Sequence, residues 1–136
     1  MKRKSIAWIL DFTSKLPDDE EKIKCLRANN HAAIKTVLKF CFDPNINWLL
    51  PEGEPPYTES LEADENAFYS QARKLYLFVE GGNPNLTNVK REALFINVLE
   101  SLLEEDAQLL IAIKDKYMPY PGITEELVRK AFPEIF

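Results

Sequence analysis

Apolar residues along this chain recur at intervals of three and four, the spacing of one face of a helix, and nowhere alternate as in a half-buried strand. Ile34, Val37, Leu38 and Cys41 fill the i, i+3, i+4, i+7 pattern and predict a helix over about 31–42, with Lys35 and Lys39 on another face. Ile6, Ile9, Leu10 and Thr13 predict an earlier helix, and Pro17 and Asp18, with Glu21 three residues on, resemble the capping pattern that opens a second. Asp43-Pro44 ends the third, because the residue before a proline is driven out of the α region. Phe68, Ala72, Leu75, Tyr76 and Val79 predict a fourth helix, stopped at Glu80-Gly81-Gly82-Asn83-Pro84. Thr87 is the expected N-cap of a fifth helix through about Leu102. A sixth is expected over 106–115 on Ala107, Leu110, Ile111 and Lys114, and a short last one from Thr124 to Ala131 before Pro133. The expected fold is all-α, a compact bundle of six or seven helices forming a single domain over 1–136. A long loop at about 49–64, rich in proline and acidic residues, divides it into two helical halves.

A length of 136 residues with 46% hydrophobic positions supports one core and leaves no room for a second. Lys and Arg number 17 against 22 Asp and Glu, a net charge of −5 that excludes a generic polycation. The imbalance is local: residues 1–50 carry nine basic against six acidic groups, whereas 51–80 carry two against seven. A basic surface can therefore face phosphates while the loop sets the overall sign. No apolar run approaches the roughly 20 residues of a spanning helix, and Lys2-Arg3-Lys4 is followed too soon by Asp11 for a signal peptide. No membrane association is expected, and the expected location is cytoplasmic. Cys25 and Cys41 both fall in helical apolar patterns and are expected as buried thiols.

Candidate chemistry is sparse. His31 sits at a helix start with no nucleophile motif to serve, so no catalytic residue is assigned and the chain is expected not to be an enzyme. No metal and no cofactor are expected, because the acidic runs Asp18–Glu21 and Glu104–Asp106 lie where carboxylates stabilise helix N-termini. The glycine turn 81–85 lacks the lysine and spacing of a phosphate loop, and Lys114-Asp115-Lys116 lacks the spacing and glycine of an adenylation motif. Two clusters stand as nucleic-acid-binding candidates: Asn83, Asn85, Thr87, Lys90 and Arg91 around a helix start, and Lys114, Lys116, Arg129 and Lys130 near the last turn. Trp8, Trp48, Tyr57, Tyr69, Tyr76, Tyr117 and Tyr120 are read as packing, with a stacking platform for bases as the lesser reading. The tail Phe-Pro-Glu-Ile-Phe commonly docks on its own domain, but it also offers Phe132, Ile135 and Phe136 as partner-binding anchors, and in that reading removing Glu134–Phe136 is expected to leave the melting temperature nearly unchanged.

Three blocks, LLPEGEPPY at 49–57, ARKLYLFVEGGNPNLTNVKRE at 72–92 and IKDKYMPYPGIT at 113–124, resemble a family of small proteins from tailed phages of marine bacteria, of the cyanophage type. The order of features is also similar to the N-terminal helical DNA-binding domain of phage ATP-dependent DNA ligases. Both have an initial helix pair, an Ile34-Lys35-Thr36-Val37-Leu38 helix, a proline loop, a helix ending in Gly82-Asn83, a helix pair, a glycine turn and a helix closed by Phe132-Pro133. In those ligases the catalytic domain follows this point, and here the sequence stops at Phe136. The resemblance implies a DNA-docking scaffold without the catalytic domain, with Asn83, Asn85, Thr87, Lys90 and Arg91 at the docking turn. It implies a non-enzymatic phage accessory protein in the infected bacterial cell, partnered by DNA or by a replication or repair component. The alternative is a protein-interaction module, a host-takeover or inhibitory factor, using the acidic loop or the tail.

Overall fold

The computed structural model describes residues 3–136, so Lys2 of the basic start lies outside the described residues. Seven α-helices and two 3₁₀ segments make up the fold, with no strand among the described residues. The helices are α1 (Ile6–Ser14), α2 (Asp19–Ala28), α3 (Ala32–Phe42), α4 (Ala67–Gln71), α5 (Asn88–Leu99), α6 (Glu104–Lys114) and α7 (Glu125–Ala131). Their starts are written in side chains. Asp18, Thr87 and Thr124 accept from the backbone N–H groups of Glu21, Lys90 and Leu127, and Ser5 caps α1 in the same way. The sixth helix begins at Glu104, two residues ahead of its predicted start, since Glu104 and Glu105 themselves stabilise its first turn.

The fourth predicted helix needs correction. Only Ala67–Gln71 is α-helical, and Ala72–Phe78 continues as a tighter 3₁₀ segment. Its carbonyls are claimed from outside: Leu77 O accepts from Arg91, and Phe78 O accepts from the backbone of Leu49 at 2.8 Å. These are the last two carbonyls of the segment, which ends there with Val79 extended. Gly82 then closes against this segment so tightly that a Cβ there would lie 1.7 Å from Tyr76 O.

The loop does not separate two halves in space. Helix α6 packs on both α1 and α3, and α2 packs on α7, so segments from either side of the loop share one core. Phe78 and Phe95 meet edge to face at 5.3 Å in it. The loop itself is strapped to this body. Trp48 pairs antiparallel with Val79, and its indole donates to Phe40 O at 3.0 Å. Gly53 N–H donates to Asp115 Oδ2, Thr58 N–H to Glu100 Oε2, Gln108 to Glu54, and the Tyr57 hydroxyl to Glu104. No helix among the described residues is long and apolar enough to cross a membrane.

Candidate nucleic-acid interface

The nine residues singled out from sequence do not form a cationic surface. Arg91 is buried, with Nε donating to Leu77 O at 3.3 Å, Nη1 to Asn88 Oδ1 at 2.7 Å and Nη2 to Leu86 O at 2.9 Å. It clamps the 3₁₀ segment and the glycine turn to α5 and has no face left for a phosphate. Lys114 is buried as well, its ammonium held by Pro51 O at 2.8 Å and Asp115 Oδ1 at 2.6 Å. Lys116 donates to Asp43 O at 2.7 Å. Arg129 and Lys130 pair one turn back along α7 with Glu125 and Glu126. Asn83 accepts from Asn85 N–H at 3.2 Å, and Thr87 serves as the cap. Lys90 is exposed, and no carboxylate among the described residues lies within ion-pair distance of it.

The tail is docked, which corrects its reading as a set of available anchors. Phe132 is buried and Ile135 and Phe136 pack against the core, with Pro133–Ile135 forming a 3₁₀ turn. Two exposed-face lysines of α3 hold it: Lys39 donates to Ile135 O at 2.5 Å and Lys35 pairs with Glu134 at 3.0 Å. The Arg129 guanidinium lies 4.1 Å from the centre of the Phe136 ring. Removing Glu134–Phe136 should therefore lower the melting temperature by about 5 °C or more in a thermal unfolding scan, not leave it in place. An unchanged midpoint would mean that the docked turn contributes nothing.

Positive charge gathers elsewhere. Two adjoining cavities run along α1, the start of α3 and α4, of about 400 Å³ and 320 Å³. Arg3, Lys4, Trp8, Phe12, His31 and Tyr69 line the first, and Arg3, His31, Tyr69, Ser70 and Arg73 the second. No carboxylate lines either, although the chain carries 22 of them. By contrast, the cavity under the proline loop is edged by Glu52, Glu54 and Glu92. The cations are combined with aromatic rings. The Arg3 guanidinium sits 3.9 Å from the centre of the Tyr69 ring, and Lys4 Nζ sits 5.1 Å from that of Trp8. Tyr69 is fixed by donating to Lys4 O at 2.8 Å and by the edge of His31 at 4.9 Å.

His31 has a structural task as well. Its Nδ1 accepts from Ala33 N–H at 2.9 Å and caps α3, which requires the tautomer with hydrogen on Nε2. Burial, with Arg3 nearby, lowers its pKa below the ordinary histidine range and keeps the capping form at neutral pH. Cys25 forms part of the cavity wall, half-buried with Sγ 3.1 Å from the Thr13 hydroxyl, whereas burial pushes the Cys41 thiol up to about 12. No group of three or more potential metal ligands occurs among the described residues.

The profile of DUF6433, a family of unknown function, matches residues 9–119. The chain belongs to that family. No curated protein and no solved structure matches it. The DUF6433 span includes Phe12, His31, Tyr69 and Arg73 of the groove, together with the framework cations Arg91 and Lys114, while Arg3, Lys4 and Trp8 precede it.

Proposed function

We propose that this DUF6433 protein is a non-enzymatic phage accessory protein that binds DNA in the groove formed by α1, α3 and α4. The observation that carries the reading is the segregation of charge: three cations and no carboxylate line the groove of a chain with net charge −5. Phosphates are attracted to such a surface and repelled by the strapped acidic loop, so charge alone orients the molecule on a polyanion. The order of helices shared with the ligase DNA-binding domains supports the same reading. The docking turn that this likeness suggests is replaced as the contact surface, since Arg91 is committed to backbone carbonyls.

Titration of labelled single-stranded, nicked and duplex DNA at low and moderate salt tests this. Binding should weaken steeply with salt. Replacing Arg3 and Arg73 together by alanine should weaken it about tenfold or more at low salt and flatten the log–log salt dependence by about 1.5, since each phosphate contact contributes roughly 0.7–0.9. The reading fails if no form of DNA binds at low salt, or if the double variant binds as the natural protein does.

A further inference from the structure

We infer that Trp8 and Phe12, one helical turn apart on α1 along the rim of the groove, form a base-stacking platform that selects single-stranded over duplex DNA, with Arg3, Lys4 and Arg73 taking the phosphates. This rests on the DNA reading above and adds which form of DNA is held and how.

Helix α1 has no need of these two rings for its own packing. Ile6, Ile9 and Leu10 form its buried face, while Trp8 is 44% and Phe12 47% exposed. The rings lie almost parallel, 9° apart, with centroids at 5.1 Å. The other large exposed apolar residues, among them Leu61, Val89 and Tyr117, line neither cavity of the groove. Trp8 and Phe12 both border the cavity of about 400 Å³, within the range typical of small-ligand sites. Isolated surface hydrophobes are ordinary, but a stacked aromatic pair beside a carboxylate-free, cation-lined cavity suits a flat neutral ring linked to a negatively charged group.

A nucleotide base fits that description, and magnitudes favour its entry. The Lys4 ammonium over Trp8 is an exposed cation–π contact, worth a factor of about two to five. A stacked base is worth a factor of about five to 150. A base therefore displaces the ammonium, which then becomes available to the adjoining phosphate. Tyr69 is buried and covered by Arg3, so it orients the guanidinium and offers no stacking face. In a duplex the faces of each base are covered by its stacked neighbours, so no base face is open to the platform. The platform thus adds nothing to duplex binding.

The test compares a thymidine homopolymer, the same strand with abasic sites throughout and a duplex of equal length, at low salt, with the natural protein and with Trp8→Ala, Phe12→Ala and Trp8→Phe. The base-bearing strand should bind at least tenfold tighter than either of the others. Trp8→Ala and Phe12→Ala should each weaken it about tenfold or more and leave abasic and duplex binding unchanged, and Trp8→Phe should recover most of the loss. Salt-sensitive binding that is equal for all three ligands would overturn the platform while leaving the DNA reading intact. Trp8→Ala weakening all forms alike would reduce Trp8 to a scaffold residue and also overturn it. No binding of any form would remove both.

Discussion

Acidification from pH 8 to pH 5 should stabilise this protein by about 2–3 kcal/mol through a single carboxyl group, that of Asp106. The side chain is completely buried at the start of α6, where Oδ1 accepts from Ala7 N–H at 2.9 Å and Oδ2 has no partner. Burial pushes its pKa up to about 7, with Glu105 and Glu65 adding to the rise and the Ala7 N–H opposing it. A carboxyl whose pKa is raised on folding holds more protons folded than unfolded between its two pKa values. Stability therefore falls as pH climbs from about 4 to 7 and levels off above that. His31, with a lowered pKa, contributes the opposite slope, so the informative quantity is the difference from Asp106→Asn, in which the His31 contribution cancels. Asparagine keeps an acceptor for Ala7 and cannot ionise. Urea unfolding between pH 4.5 and 8 should show the variant about 2 kcal/mol more stable than the natural protein at pH 8, with the gap closing toward pH 5. A gap that stays constant with pH would show that the buried carboxylate is adequately solvated.

Arg91→Ala should cost about 3 kcal/mol of stability, although Arg91 lies in what reads from sequence as a basic DNA-docking turn. The buried guanidinium bridges Leu77 O, Leu86 O and Asn88 Oδ1, so truncation strands two half-buried backbone carbonyls, frees the exposed Asn88 amide and empties a packed site. A lost partner of this kind costs the desolvation of each stranded group, well beyond the value of one surface contact. Arg91→Lys should restore less than half, because one ammonium on a flexible stem cannot span three acceptors fixed for a planar fork. Urea midpoints measure the cost, and DNA titration well below the unfolding temperature separates framework from ligand. The folded fraction of Arg91→Ala should bind as the natural protein does. Full stability with lost DNA binding would return Arg91 to the interface.

The helices were legible because apolar spacing and caps are local: α3 occupies 32–42 of the expected 31–42, and α7 runs from its Thr124 cap to Ala131. The 3₁₀ segment was not, since the spacing of Phe68, Ala72, Leu75 and Tyr76 fits an α-helix as well, and the partners of its last carbonyls, Leu49 and Arg91, come from distant parts of the chain. Charged residues at apolar register were the signal passed over. Lys114 completes the pattern of Ala107, Leu110 and Ile111, Arg91 stands one turn before Phe95, and Asp106 stands three and four before Leu109 and Leu110. Each is buried. Trp8 and Phe12 show the converse, as rings one turn apart that miss the stripe of Ile6, Ile9 and Leu10 and stand exposed. The union of Arg3 with Tyr69 and of His31 with Arg73 around one groove depends on tertiary packing, and no local spacing contains it.

The straps on the proline loop stop at Thr58. Beyond it the apex is held mainly by its own short turn, in which the Ser60 hydroxyl accepts from Glu62 and Ala63, and Leu61 is 98% exposed. A foreign peptide or a dye grafted at Leu61 would thus hang from an anchored stalk, marking the molecule without disturbing its scaffold.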